Sequence, residues 1–259
     1  MKNLYKLSDK IISEFEKDGV VLLKKLIDKN WEKILVNAID QDIKDPGPYY
    51  HAYKTEDGKG HFHGSMRIWE SNIGFKKFCL NSPLPYLASQ LLKSKKINLF
   101  YDQLFVKEPE TANIVRWHND QPYWPIRGWA VMSFWIPLDP ILKENGALEF
   151  IRGSHKWCKW FQPEHFAPGD SKPYEQNPEF EKIPDIDSNR DNYDIISFEM
   201  NPGDLLAFHS LVVHGSNGNF SKILRRRGYA VRYTGDNVFY SKEKGSHLDL
   251  RNPDLKNGD

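Results

Sequence analysis

Only two cysteines, Cys79 and Cys158, occur in 259 residues, too few for a disulfide framework or a thiolate zinc site and in keeping with a reducing compartment. A charge excess of either sign is missing too. Lys+Arg 36 stand against Asp+Glu 35, a formal +1, so no global field draws the chain to nucleic acid or to an anionic membrane. No apolar run reaches the roughly 18 residues of a membrane span, and the opening MKNLYKLSDK lacks the apolar stretch of a secretory signal. Internal repeats and low-complexity tracts are absent as well. The expectation is one cytoplasmic domain over residues 1–259 whose partner is a small molecule, with no nucleic acid and no membrane.

What the chain does have is aromatic rings. They make up 14% of residues, with eight tryptophans, and many cluster between positions 99 and 166. That density suits a core or a ring-lined pocket better than a surface.

The N-terminal part, about 1–95, reads as helical with one short strand. Ser8 can cap a segment whose Ile11, Ile12 and Phe15 share a face, with Gly19 as its stop. VVLLKKL follows as a strand, and Asp28 can cap a second helix carrying Trp31, Ile34, Leu35, Ala38 and Ile39 in one stripe. Residues 45–66 mix Gly, Pro and charge without period and are expected to form a loop. A third helix is expected over about 83–94. From 97 to 240 the pattern turns to strands: INLFYDQLFVKEP, WAVMSFWIPLD, GALEFI, DIISFEM, GDLLAFHSLVVHG and GYAVRYTG are short, aromatic or β-branched, and bounded by turn residues. Strands in series without helices between them argue for a mainly β sandwich or barrel. The polar, Pro-punctuated stretch 157–194 interrupts the series as a lid-like insertion.

Chemistry is concentrated in WHNDQPYWP (117–125). His-x-Asp is weak alone, and it occurs twice, at His118/Asp120 and His247/Asp249. On a strand, residues i and i+2 present imidazole and carboxylate to the same side. A second, downstream histidine would complete the two-His-one-carboxylate face of non-haem Fe(II) oxygenases. His247-x-Asp249 has no histidine after it and fails. For His118-x-Asp120, His155 reads as a packing or turn residue and His165 belongs to the insertion. His209 and His214 then remain, on one strand-like run and opposite faces. Periodicity alone leaves the two open.

WHNDQPYWP, FWIPLDPILKENGALEFIRGSHK and PGDLLAFHSLVVHGSNGNFSKILRRR, in this order, resemble the phytanoyl-CoA dioxygenase family of Fe(II)- and 2-oxoglutarate-dependent oxygenases. The likeness is dense from about 99 to 236 and looser before. It implies a double-stranded β-helix, a jelly-roll or cupin-like barrel, with the N-terminal helices packed outside. It also implies iron ligands at His118, Asp120 and His214, the last being the His of HGS. An upstream HGS at His63 is out of order, and His61 and His63 read as loop polar residues. The same resemblance puts the arginine that holds the far carboxylate of 2-oxoglutarate eleven residues after the distal histidine, at Arg225. Alternation then turns Arg225 and Arg227 inward and Arg226 outward. Ser216 matches a further cosubstrate contact, and Gln103, Lys107, Asn119 and Trp135 fall near other contact positions. Trp117, Tyr123 and Trp124 are expected to wall the pocket and keep the metal dry.

The implied activity is hydroxylation of an unactivated C–H bond of a small organic substrate, consuming 2-oxoglutarate and O2 and releasing succinate and CO2. Asp120 argues against the family's halogenases, in which a small residue replaces the carboxylate. A cupin-like metal-dependent hydrolase or isomerase would leave Arg225 and Ser216 without a role, and a non-enzymatic jelly-roll binding domain is the other alternative.

Overall fold

The computed structural model describes residues 5–53, 58–164, 174–252 and 254–259. Its first two helices begin where their capping residues predict. Ser8 Oγ accepts from the Ile11 N–H at 3.4 Å at the head of α1 (Asp9–Asp18). That helix stops at Gly19, whose φ of 77° lies in the left-handed region where glycine carries no Cβ penalty. After β1 (Val20–Leu23), Asp28 Oδ1 accepts from the N–H groups of Asn30 and Trp31 at 2.9 and 3.0 Å and opens α2 (Lys29–Lys44).

The stretch 45–66 departs from the loop expectation, because it contains a hairpin, β2 (Tyr50–Tyr53) and β3 (Phe62–Met66). Strand pairing makes it, with Tyr50 opposite Ser65 and Tyr53 opposite Phe62. His63 therefore stands on a strand, bonded to buried Asp42 at 2.9 Å. The single helix expected over 83–94 is the second of a pair, α3 (Ile73–Asn81) and α4 (Leu84–Leu91). Pro83, with no N–H to extend α3, separates them.

The remaining strands are β4 (Asn98–Lys107), β5 (Val115–His118), β6 (Ile126–Arg127), β7 (Val131–Pro137), β8 (Leu148–Ile151), β9 (Ile195–Ser197), β10 (Leu205–His209), β11 (His214–Ser216), β12 (Arg226–Thr234) and β13 (Phe239–Tyr240). They form a seven-stranded sheet, β1-β10-β7-β12-β4-β3-β2, a four-stranded sheet, β5-β11-β8-β9, and a small β13-β6 ribbon. The run 203–215 is thus two strands and not one: β10 lies in the large sheet and β11 in the small one, with the chain crossing at 210–213. Antiparallel sheets joined in this way build the double-stranded β-helix, and the helices cover the outer face of the larger sheet.

Two cores follow from strand alternation. Along β12, Tyr229, Val231 and Tyr233 point outward into a cluster with Leu35, Phe75, Phe78 and Leu87 of the helices. Each fully buried Leu or Phe there contributes roughly 1.5–3 kcal/mol. Ala230 points the other way, into an inner cluster with Trp135, Phe150 and Phe208 between the sheets. Arg226, Gly228 and Arg232 share that inward parity. Gly228 is required by its neighbour, since a Cβ there would come within 2.0 Å of the Trp135 ring. Among the described residues no helix is long and apolar enough to cross a membrane.

Candidate active site

The inner core opens into a small cavity of about 40 Å³ lined by Phe105, Val115, His118, Asp120, Trp135, Leu148, Phe208, His214, Arg226, Ala230 and Arg232. Two backbone features bring its polar groups together. His118 ends β5 directly opposite His214 of β11. Asp120 lies past the strand end, where the N–H groups of Asp120 and Gln121 both donate to the Ser210 carbonyl at 2.9 and 3.1 Å. Ser210 belongs to the turn between β10 and β11, so the crossover that delivers His214 also pins the Asp120 turn. The imidazole and carboxylate of His-x-Asp converge through this turn, not through strand alternation.

His118 Nδ1 donates to the Arg116 carbonyl at 2.7 Å, and His214 Nδ1 to the Val212 carbonyl at 3.0 Å. A carbonyl can only accept, so each Nδ1 holds the proton and each Nε2 offers a lone pair toward Asp120. Asp120 Oδ2 accepts from Ser133 Oγ at 3.2 Å. Its Oδ1 stands 3.5 Å from His118 Nε2 and 3.9 Å from His214 Nε2. Both separations are under the roughly 4.2 Å that two ligands about 2.1 Å from one ion can span. The three donor atoms lie within 4.8 Å of one another.

Protonation states suit a cation. Burial and the neighbouring His118 lower the His214 pKa to about 4, leaving the ring neutral at pH 7. Burial alone would raise the Asp120 pKa, but the adjoining imidazoles of His118 and His214 and the charge of Arg232 hold the carboxyl well below the usual range. Two imidazoles and one carboxylate, dry and convergent, could hold a metal ion and match the donor set that non-haem iron centres use. His209 takes no part: its Nε2 donates to the Trp129 carbonyl at 2.9 Å and its Nδ1 accepts from the Leu211 N–H at 3.1 Å. His155 Nε2 meets the Glu16 carbonyl at 3.2 Å. His247 caps a short turn by accepting from the Asp249 N–H. His165 lies outside the described residues.

The arginine run is oriented opposite to the expected parity. Arg225 points outward and pairs with Glu108 at 2.8 Å. Arg227 is also turned out, holding Asp139 through Nε at 3.0 Å and Nη2 at 2.8 Å. Arg226 is the one inside, 2% exposed, with its guanidinium 5.0 Å from the Trp135 ring centroid. The cause is local. Loop residues 217–225 have no strand period through which to count from His214, and alternation begins only at Arg226, the first residue of β12. Arg226 Nε has no hydrogen-bond partner among the described residues. Burial lowers its pKa to about 10.

Lys107, the cross-strand partner of Arg226, is wholly buried. Desolvation and the Arg226 charge push its pKa well down, while its Nζ donates to Ser216 Oγ at 3.2 Å and to the Asn217 carbonyl at 2.7 Å. Gln103 is buried on the same inward face of β4. Asn119 is engaged elsewhere: its amide donates to the Lys159 carbonyl at 2.8 Å, tying down the start of the 157–194 insertion.

The three expected wall residues divide. Tyr123 meets His118 edge-on at 5.8 Å. Trp124 packs behind the site, its indole donating to Tyr101 OH at 2.8 Å, and Trp117 donates outward to Asp187 at 2.8 Å. The walls are Phe105, Val115, Trp135, Leu148 and Phe208 instead. Sequence reasoning missed Arg232. The available signal was a lone cation in GYAVRYTG, a strand whose residues on the opposite parity, Tyr229, Val231 and Tyr233, all belong to the core.

The family model for phytanoyl-CoA dioxygenase matches residues 15–228. The chain belongs to the phytanoyl-CoA dioxygenase family. A probable phytanoyl-CoA dioxygenase of Caenorhabditis elegans is 25% identical over 170 residues, 62% of this chain and 51% of that protein, so the chain spans about half the length of this relative. The crystal structure of the non-heme alpha ketoglutarate dependent carbocyclase SnoK from nogalamycin biosynthesis covers 98% of this chain and 93% of its own, with a TM-score of 0.77 at 18% identity. The epimerase SnoN, in complex with Fe3+, alpha ketoglutarate and nogalamycin RO, gives 0.75 at 15% identity over 96% and 93%. At such identities the two structures speak for the fold. Family enzymes depend on non-haem iron and 2-oxoglutarate, and this chain has residues that fit both groups. Its buried His-Asp-His donor set suits Fe(II), and its buried Arg226 Nε, without a partner among the described residues, suits a dianionic cosubstrate.

Proposed function

We propose that this dioxygenase hydroxylates an unactivated C–H bond of a small organic substrate, with release of succinate and CO2. His118, Asp120 and His214 would hold Fe(II), and Arg226, with Lys107 and Ser216 beside it, would hold the far carboxylate of 2-oxoglutarate. Bound iron, 2-oxoglutarate and O2 supply the oxidising chemistry. The protein's own contribution is positioning and dryness. Ser133 and the two backbone carbonyls fix the orientation of the three ligands, and second partners of this kind set ligand geometry and basicity. Phe105, Trp135, Leu148 and Phe208 keep bulk water from the donor set, which limits loss of oxidant to solvent.

The observation that carries this reading is that one cavity joins a convergent His-Asp-His set to two buried guanidinium groups that make no ion pair among the described residues. A cupin-like hydrolase would use the first feature and leave the second without purpose. The test is product formation. Protein reconstituted with Fe(II) in air is expected to convert 2-oxoglutarate slowly to succinate even without substrate, and a chelator should stop it. Iron-loaded protein that leaves 2-oxoglutarate intact, with and without a substrate library, would refute the reading.

A further inference from the structure

Two buried arginines line the cavity, and 2-oxoglutarate has only one far carboxylate to be held there. Arg226 and Arg232 are six residues apart on β12, a backbone separation of roughly 20 Å with both side chains on the inward face. Arg226 stands opposite Lys107, and Arg232 stands between Tyr101 and Ser133 on the neighbouring strands. The triad lies closer to Arg232. Ser133, whose Oγ donates to Asp120 at 3.2 Å, stands directly opposite Arg232 on β7, whereas Arg226 lies at the far end of β12. A cosubstrate reaching from the triad to Arg226 therefore leaves Arg232 on the other flank of the metal.

Arg232 is 3% exposed, and its Nε and Nη1 have no hydrogen-bond partner among the described residues. It is not spent on Asp120, since no ion pair joins them among the described residues; Asp120 Oδ2 is taken by Ser133. Rings surround it, with the Tyr101 centroid at 4.5 Å, Trp124 at 5.9 Å and Phe105 at 6.0 Å. The rings keep the guanidinium in place but cannot satisfy its in-plane N–H groups. A buried, planar fork of donors without an acceptor matches the two oxygens of an oxyanion.

We infer that Arg232 is a specificity-determining residue that receives an acidic group of the substrate, a carboxylate, phosphonate or sulfonate, beside the metal. The enzyme would then act on small organic anions, oriented by this contact so that a C–H bond near the acidic group faces the donor triad. Neutral scaffolds would leave the fork unpaired in a dry site, and burying an unpaired donor is what a selective pocket uses to reject them. The inference rests on the iron and 2-oxoglutarate reading of the same cavity.

The experiment uses the full chain, anaerobic, with Fe(II) and saturating 2-oxoglutarate. It follows the visible iron–cosubstrate absorption and the thermal midpoint while acetate, benzoate, methylphosphonate or methanesulfonate is added, with acetamide and benzamide as neutral controls. In the wild type the anions are expected to perturb the absorption and raise the midpoint, and the amides to do neither. The four anions distinguish a carboxylate site from a phosphonate or sulfonate site. Arg232→Met should keep 2-oxoglutarate affinity within about threefold while weakening the anion response by at least about tenfold. If that variant does not fold, Arg232→Lys, which keeps the charge but not the fork, should weaken the response to carboxylates by a similar factor. Equal anion responses in wild type and variant, or none in the wild type, would overturn the inference. A large loss of 2-oxoglutarate affinity in Arg232→Met would overturn it too, by assigning Arg232 to the cosubstrate. Absence of the absorption in every protein would instead remove the underlying iron reading, and the inference with it.

Discussion

His214→Ala is expected to lose stoichiometric iron binding, and Asp120→Ala to retain part of the iron but no turnover. Each of the three donors is fixed by a partner of its own: Arg116 O for His118, Val212 O for His214 and Ser133 Oγ for Asp120. Removing one donor therefore leaves the other two in place. An imidazole contributes a neutral, strongly bonding ligand, and its loss should weaken iron by at least about a hundredfold, beyond the 10–100-fold seen on losing a supporting partner. Loss of the carboxylate leaves two imidazoles that still coordinate but no longer define the open face at which the cosubstrate must chelate. His209→Ala is the control. It removes one donor and one acceptor buried between the Trp129 carbonyl and the Leu211 N–H, so it should cost about 1–3 kcal/mol of stability and leave the metal untouched. Iron content by metal analysis and unfolding in urea separate the two effects. Full iron in His214→Ala with loss in His209→Ala would show that the wrong histidine has been assigned.

Arg226→Ala should weaken 2-oxoglutarate by roughly 2–5 kcal/mol, the usual cost of removing one partner of a buried charge pair. Arg225→Ala should change the affinity by less than about threefold, because its side chain is 42% exposed and holds Glu108 and exposed pairs contribute little. Arg227→Ala should show its effect in stability, since it gives up a two-point contact with Asp139. Dissociation constants measured anaerobically with Fe(II) rank the three. A loss confined to Arg225→Ala would mean that β12 begins one residue earlier in solution, with its alternation reversed.

The arginine result also shows where sequence reasoning stops. Strand alternation is physical only within a strand, and residues 217–225 form an irregular loop held by Asn219, whose amide donates to three backbone carbonyls. A count carried across it has no geometric meaning, whereas parity inside β12 is firm enough to place Arg232 inward once Arg226 is placed. GDLLAFHSLVVHG reads as one strand for a related reason. Leu211, Val212 and Val213 are buried by the crossover between sheets, so the turn leaves no polar gap in the sequence. The β2–β3 hairpin escapes the period-two test because Asp42 of α2 gives His63 a polar partner inside the structure. By contrast, the caps at Ser8 and Asp28 and the glycine stop at 19 are local chemistry, and they are legible from the residues alone. The three proposed iron donors stand between these cases. His118 and Asp120 are suggested by spacing, while choosing His214 over His209 needs the order of motifs, because both histidines are buried on inner strands.

His118, Asp120 and His214 are proposed to present an open iron centre to 2-oxoglutarate. This proposal is tested most directly by anaerobic titration of the metal-free protein, first with Fe(II) and then with 2-oxoglutarate. One iron per chain is expected and, on adding the keto acid, a weak visible charge-transfer band from its direct chelation to ferrous iron, absent in His214→Ala. Iron demonstrably bound with no band at saturating 2-oxoglutarate, or the same band in wild type and His214→Ala, would contradict it.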